Sequence, residues 1–295
     1  MSQATVGPAR TPVGRARRER LGDARLYLIT DDETPAAELP RLIAGCVAAG
    51  VDMVQLRRKG VAPDDLYGLA MACREAAQAG GALFLVDDHV DLAQAVDADG
   101  VHLGQSDLDP ALARSQVGPE LLIGLSTHAV GQVARSADQP VDYISAGPVH
   151  ATPTKPGRIA VGYGHVSAAA LRSRVPVVAI GGLGPGTAGI AVGAGADIVG
   201  VVRAFCRAPD PGRVAKDLRA EIAAASPWVR IWVNGESRKS PQPSSLGHLL
   251  DLLEVGRAGV VVERNGEIVP GVELDQAAVE DGDQLEVVHL VGGGS

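Results

Sequence analysis

From residue 25 the chain repeats one pattern of apolar and polar positions. A short apolar run gives way to a polar or glycine-rich turn, then to a stretch rich in Ala and Leu. The apolar runs fall at 26–29, 51–56, 82–86, 100–103, 121–125, 141–146, 175–180 and 196–202. Most begin 20–34 residues apart, which is room for a strand and a crossover helix. The stretches between them, 36–49, 63–79, 89–96, 110–116, 129–137, 165–174, 185–193 and 212–225, read as helices. Pro63, Pro110 and Pro185 sit at or near first turns, where a missing N–H does no harm. Eight strand–helix units in about 200 residues predict an α/β fold, a (β/α)8 TIM barrel over residues 23–226. The alternative is an open doubly wound sheet. That fold normally shows GxGxxG after its first strand, and this chain has none.

At Ser226-Pro227 the pattern changes. Residues 228–233 alternate apolar and polar, and Asn234-Gly235 reads as a hairpin turn. A helix over 245–254 follows, then strands over 259–264 and 267–269 across the turn Asn265-Gly266. The last strand is expected over 284–291, and the chain ends Gly292-Gly293-Gly294-Ser295. Residues 227–295 are thus expected to form a small α+β domain of β-grasp (ubiquitin-like) type.

Composition narrows the class. Aromatic residues make up only 3% of the chain, so the core must be Val, Ile, Leu and Ala, as buried parallel strands prefer. The net charge of -8 argues against nucleic acid as a main partner. Residues 1–20 run the other way, with five Arg and one Glu. Gly7, Pro8, Pro12 and Gly14 interrupt them, so residues 1–22 are expected to be a disordered basic tail. A transit peptide is the weaker reading of the same segment. Cys46, Cys73 and Cys206 are widely spaced and form no CxxC pair. Buried reduced thiols in a cytoplasmic protein are expected, not a disulfide framework or a zinc site. No stretch approaches a membrane span, so no membrane partner is expected.

In such a barrel, functional residues collect where the strands end. The second apolar run ends in Gln55-Leu56-Arg57-Arg58-Lys59. Period-two alternation puts Gln55, Arg57 and Lys59 on one side, a wall suited to a polyanion. A solvated basic loop is the bland reading. Asp87-Asp88 ends the third run, and Gly104-Gln105-Ser106-Asp107 follows the fourth. Carboxylates beside cations suit a Mg²⁺–pyrophosphate site. Taken singly, Asp88 and Asp107 read as helix caps. His128 reads as a residue at a helix start with a satisfied ring. The loop 147–157 is rich in hydroxyls and cations and can close over phosphate, though an ordinary Pro-rich loop looks the same. Gly181-Gly182 and Val202-Arg203 stand where these barrels hold a phosphate group.

Six motifs in this order resemble the thiamine-phosphate synthase family. They are Gln55–Lys59, Asp87-Asp88, residues 99–107, residues 124–128, Thr152-Pro153-Thr154-Lys155, and residues 179–182. The resemblance covers roughly residues 25–207. It implies a transferase that joins a hydroxymethylpyrimidine pyrophosphate to a thiazole phosphate. By that resemblance Gln55, Leu56, Arg57, Arg58, Lys59, Asp87, Ser126 and Lys155 would hold the pyrimidine pyrophosphate. Arg57, Lys59, Ser126 and Lys155 would act in catalysis, and Asp88 and Asp107 would bind Mg²⁺. Thr152, Pro153, Thr154, Gly182, Val202 and Arg203 would hold the thiazole phosphate. The family usually has Asn where Asp87 stands and often Ser where Arg203 stands. Asp87 therefore adds a negative charge near pyrophosphate.

The C-terminal region resembles the small sulfur-carrier proteins of thiazole synthesis. The matching residues are 233–236, 265–270, 280–285 and the Gly-Gly end. The resemblance implies activation at Gly293-Gly294, with an adenylating enzyme and a thiazole synthase as partners. Ser295 stands after Gly294 and must be removed first, or the carrier is inactive as written. Two rival readings remain: a thiazole tautomerase, and a carrier or binding protein whose barrel does not catalyse. Homo-oligomerisation is left open by the sequence.

Overall fold

A computed structural model describes residues 11–152, 157, 159–225 and 228–289. Eight parallel strands close into a barrel in sequence order. They are β1 (Leu26–Ile29), β2 (Met53–Leu56), β3 (Leu83–Asp87), β4 (Gly100–Leu103), β5 (Leu122–Thr127), β6 (Tyr143–Ala146), β7 (Val177–Ile180) and β8 (Ile198–Val201). β8 pairs with β1, with Leu28 opposite Val201, which closes the ring. Every apolar run of the sequence became a strand, and the fold is the expected TIM barrel rather than an open sheet.

Alternation explains the layers. Tyr27, Ile29, Met53, Leu83, Leu85, Tyr143 and Val178 fill the barrel interior. Their neighbours Leu26, Leu28, Val54, Leu56, Phe84 and Val86 face the helices instead. That helical layer comprises α2 (Leu39–Ala48), α3 (Pro63–Ala79), α4 (Val90–Ala95), α5 (Pro110–Val117), α6 (Val130–Ser136), α7 (Gly162–Arg172), α8 (Ala188–Gly193), α9 (Arg203–Cys206) and α10 (Pro211–Ala224). α3 shows why they start where they do. Pro63 is pre-set for the first turn, and Asp64 and Asp65 complement the helix dipole.

The basic N-terminal segment departs from expectation. Residues Pro12–Asp23 form a helix, α1, capped by Thr11, whose Oγ1 accepts from Gly14 N at 3.2 Å. Of the tail expected over residues 1–22, the part from Pro12 onward is therefore helical, and residues 1–10 lie outside the described residues. Its anchors are electrostatic rather than an apolar stripe. Arg17 Nε lies 3.0 Å from Asp99 Oδ1, and Arg18 Nε lies 2.6 Å from Asp142 Oδ1. Both carboxylates are buried, and each also accepts a strand N–H, Phe84 N and Ile123 N. Leu21 and Ala24 join the barrel-interior cluster. The partners lie 82 and 124 residues away, beyond any local periodicity.

The second domain is a five-stranded mixed sheet of order β10-β9-β13-β11-β12. Its strands are β9 (Val229–Val233), β10 (Glu236–Ser240), β11 (Val260–Arg264), β12 (Glu267–Val269) and β13 (Gln284–His289). β13 runs parallel to β9 at the centre, as in a β-grasp. Helix α11 (Leu246–Leu252) packs Leu246, Leu249 and Leu250 onto Ile231, Val262 and Leu285. The last two residues expected for the final strand, 290 and 291, lie outside the described residues.

The two domains touch at the N-terminal ends of the barrel strands. Trp228 Nε1 donates to Gly193 O at 2.9 Å, and Lys239 pairs with Asp197 just before β8. Arg174 meets Glu236 at 2.7 Å and Arg172 meets Glu254 at 2.7 Å. The three cysteines are unpaired thiols, and burial pushes those of Cys46 and Cys73 up to about 12. Among the described residues, no helix is long and apolar enough to cross a membrane.

Candidate active site

A cavity of about 330 Å³ opens at the C-terminal ends of the strands. Gln55, Arg57, Asp87, Ser126, Thr152, Gly182, Val202 and Arg203 line it, residues from widely separated parts of the sequence. The lumen-facing phase of β2 puts Gln55 and Arg57 there. The same phase turns Leu56 away, into the layer between strands and helices. Arg58 also points elsewhere, donating to the carbonyls of Asp32, at 2.7 Å, and Thr34. The side chains of Leu56 and Arg58 therefore do not line the cavity. Pro153, Thr154 and Lys155 lie outside the described residues, as do Gly293 and Gly294.

Arg57 is held firmly. Thr30 Oγ1 accepts from Arg57 N at 2.9 Å and donates to Arg57 O at 3.1 Å. Arg57 Nη1 lies 2.7 Å from Asp32 Oδ2. Asp87 sits between two cations, with Oδ2 3.0 Å from Lys59 Nζ and 3.8 Å from Arg57 Nε. Its charge is thus compensated within the protein, which the sequence did not reveal. Two buried donors are poorly satisfied: Gln55 Nε2, whose side chain meets the Tyr27 hydroxyl, and Arg57 Nε, which faces Asp87 Oδ2 only at 3.8 Å. Such groups are costly unless a ligand satisfies them.

Asp88 and Asp107 lose their bland reading. The N-cap of α4 is His89, and Asp88 makes no capping bond to that helix. Asp88 has φ of +61°, a strained value for a residue with a side chain, and pairs with Lys59. α5 is capped by Asp109, whose carboxylate accepts from Ala111 N and Leu112 N. Asp107 Oδ2 instead accepts from Gly104 N at 2.7 Å. Among the described residues no cluster of three or more His, Cys, Asp or Glu could hold a metal alone. Mg²⁺ commonly takes one or two carboxylates and completes its shell with phosphate and water. Lys59, bridging Asp87 and Asp88, marks where a cation is already favoured. Hard carboxylate oxygens of the kind Mg²⁺ takes are thus present at Asp88 and Asp107, although neither lines the cavity itself.

Beneath the mouth lies a polar chain that sequence reasoning passed over. Ser126 Oγ lies 2.9 Å from His102 Nε2, His102 Nδ1 lies 2.9 Å from the Tyr143 hydroxyl, and that hydroxyl lies 3.1 Å from Tyr27. Burial pushes both tyrosines well above their ordinary range, so they stay neutral donors. Gly124 makes room for Tyr143, because a Cβ there would lie 2.1 Å from the ring. The available signal was His102 inside an apolar strand, the same kind of anomaly that flagged Gln55. His128 keeps a satisfied ring, with Nδ1 2.5 Å from Gly147 O, yet it lines the cavity too.

The opposite wall is built for close backbone approach. Gly181 and Gly182 have φ of +102° and +68°, and a Cβ on Gly182 would lie 2.7 Å from His150. Arg203 lines the cavity from the start of α9.

Comparison with known proteins agrees with this geometry. Residues 26–205 match the family model described as thiamine monophosphate synthase, and residues 230–294 match the ThiS family. A thiamine-phosphate synthase of Gloeobacter violaceus is 44% identical over 203 residues, which is 69% of this chain and 59% of that protein. The chain thus spans less than two thirds of that relative's length. One from Acidothermus cellulolyticus is 44% identical over 208 residues, 70% of this chain and 98% of that protein. A thiamine phosphate pyrophosphorylase structure from Pyrococcus furiosus superposes with a TM-score of 0.63 at 30% identity, covering 70% of this chain and 97% of that one. The chain belongs to the thiamine monophosphate synthase family and carries a ThiS-family domain behind its barrel.

Proposed function

We propose that the barrel joins a hydroxymethylpyrimidine pyrophosphate to a thiazole phosphate, giving thiamine phosphate and pyrophosphate. One observation carries this reading. The cavity has two anion-receiving walls: Gln55 and Arg57 on one side, with Lys59 beside the lining Asp87 rather than in the lining itself, and Gly182, Val202 and Arg203 on the other. Two phosphorylated substrates need two such walls.

In this mechanism Arg57, Lys59 and Lys155 neutralise the pyrophosphate as its bond to the pyrimidinylmethyl carbon breaks. Mg²⁺ on Asp88 and Asp107 would supply further charge neutralisation to the leaving group. Gln55 and Arg57 offer poorly satisfied donors to the pyrimidine pyrophosphate. Ser126 orients it from the His102 chain. Thr152, Pro153, Thr154, Gly182, Val202 and Arg203 hold the thiazole phosphate, so that the ring nitrogen faces the carbon and its lone pair forms the new bond. No strong base is required, because the pyrimidinylmethyl carbon becomes electrophilic through loss of pyrophosphate and not through removal of a proton. A thiazole tautomerase would have no use for Lys59, Asp88 and Asp107.

The second domain serves as a sulfur carrier whose terminal glycine is adenylated and converted to a thiocarboxylate. An adenylating enzyme and a thiazole synthase are its partners. Unpaired thiols at Cys46, Cys73 and Cys206 suit a reducing, cytoplasmic setting. The primary test is direct. Purified full-length protein with Mg²⁺ and both substrates should make thiamine phosphate, and absence of product would overturn the synthase reading. For the carrier, exchange of one oxygen for one sulfur at Gly294 by mass spectrometry is the expected result.

A further inference from the structure

At the joint between the domains lies a cleft of about 490 Å³, larger than the cavity at the mouth. Small-molecule sites generally span roughly 300–1,000 Å³. Both domains build its walls. Arg25 and Arg219 come from the barrel, and Arg230 and Lys239 come from β9 and β10. The hairpin register sets Lys239 directly opposite Arg230. Trp228 adds an apolar side.

Charge within the cleft does not balance. Lys239, nearly buried, is answered by Asp197 and by Gly195 O at 3.1 Å. Arg219 Nη1 holds Asp52 Oδ2 at 2.9 Å. The guanidinium groups of Arg25 and Arg230 have no carboxylate partner among the described residues, though the Arg25 backbone N donates to Asp52 Oδ2 at 2.8 Å. Arg25 donates to the carbonyls of Gly22 and Ala24, at 2.9 and 2.6 Å. Arg230 makes only a long 3.3 Å side-chain bond, to Ser237 Oγ. Asp281 also lines the cleft, and its Oδ1 accepts from the Arg230 backbone N at 2.8 Å. The four cations thus face three carboxylates, Asp197, Asp281 and Asp52, and the excess positive charge in a concave wall raises the local potential and favours an anion. Planar guanidinium forks match phosphate oxygens better than ammonium groups do.

We propose that this interdomain cleft is a second anion site, taking a small phosphate-bearing molecule between Arg25 and Arg230. It is separate from the mouth, since it is built at the N-terminal ends of the strands. A phosphate held there touches one cation from each domain and so strengthens their docking by linkage.

Isothermal titration calorimetry of the full chain with inorganic pyrophosphate tests this. The Arg57→Ala protein, weakened at the mouth, should still bind pyrophosphate, with a change in Trp228 fluorescence. Adding Arg25→Gln and Arg230→Gln to it should weaken that remaining binding by about tenfold or more. Both arginines are exposed, so their replacement buries no unpaired group, and an unchanged melting profile verifies the fold. The Arg25→Lys, Arg230→Lys pair should bind with intermediate strength. No binding to Arg57→Ala at millimolar pyrophosphate, or binding indifferent to the Gln pair, would overturn the proposal. Neither result bears on catalysis at the mouth, which the product assay tests separately.

Discussion

The Ser126 hydroxyl lies 2.9 Å from His102 Nε2, and both residues line the same cavity. His102 is itself held by Tyr143, so Ser126 is oriented by a fixed chain rather than by solvent. Replacing His102 with Ala should leave Ser126 and Tyr143 short of a partner. The expected loss is about 1–3 kcal/mol of transition-state stabilisation, roughly 5- to 150-fold in kcat/KM. Steady-state kinetics on a variant with a near-native melting temperature checks it, and unchanged kcat/KM would remove His102 from the mechanism.

Asp87 competes with substrate for the same cations. Asp87→Asn frees Lys59 and Arg57 of one carboxylate and removes a charge that repels pyrophosphate. The KM for the pyrimidine pyrophosphate should fall about three- to tenfold, worth ~1 kcal/mol for a partly exposed charge contact. A KM that rises instead would mean that Asp87 contacts the metal.

Asp107 and Asp109 are two residues apart and should separate cleanly. Asp107→Asn should raise the Mg²⁺ concentration needed for half-maximal activity by about tenfold or more, while stability barely changes. Asp109→Ala removes the α5 cap and should cost about 1 kcal/mol of stability, leaving the Mg²⁺ requirement alone. Equal Mg²⁺ titrations for both variants would sink the assignment of Asp107.

Asp99→Ala should be among the more damaging changes far from the cavity. It leaves the Arg17 charge with little room for water and orphans Phe84 N. Thermal or denaturant unfolding should show a loss of about 3 kcal/mol. A loss below ~0.5 kcal/mol would show that α1 does not depend on this pair.

The β-grasp domain should be acid-sensitive through Asp283. Burial alone would raise its carboxyl, but hydrogen bonds from Glu280 N, Arg264 and Asn265 outweigh it and hold it below the usual carboxylate range. A carboxylate with a lowered folded pKa contributes stability above its unfolded value of 3.8, and that contribution is lost as pH falls through the folded value. Denaturant melts of wild type should therefore steepen their decline below about pH 4, and Asp283→Asn should flatten it. Parallel curves would contradict this role.

Much of the fold was readable because the barrel is built from local signals. Each strand is an apolar run and each helix follows it within a few residues, so periodicity was enough. α1 was hidden because its stability comes from Arg17–Asp99 and Arg18–Asp142, pairs joined only in three dimensions. In the cavity, Gln55 and Arg57 were legible from strand phase, and the same phase argues against the side chains of Leu56 and Arg58. The compensation of Asp87 was not legible, since it needs the distances to Lys59 and Arg57. His102 and Tyr143 were visible as letters, but their hydrogen bond joins β4 to β6, 41 residues apart.

The second domain rests on the N-terminal rim of the barrel, and the cavity opens at the other rim. The described part of the second domain therefore leaves the mouth uncapped. Traffic through the two stations need not alternate, and each polypeptide brings them in a fixed one-to-one ratio that no change in expression can unbalance.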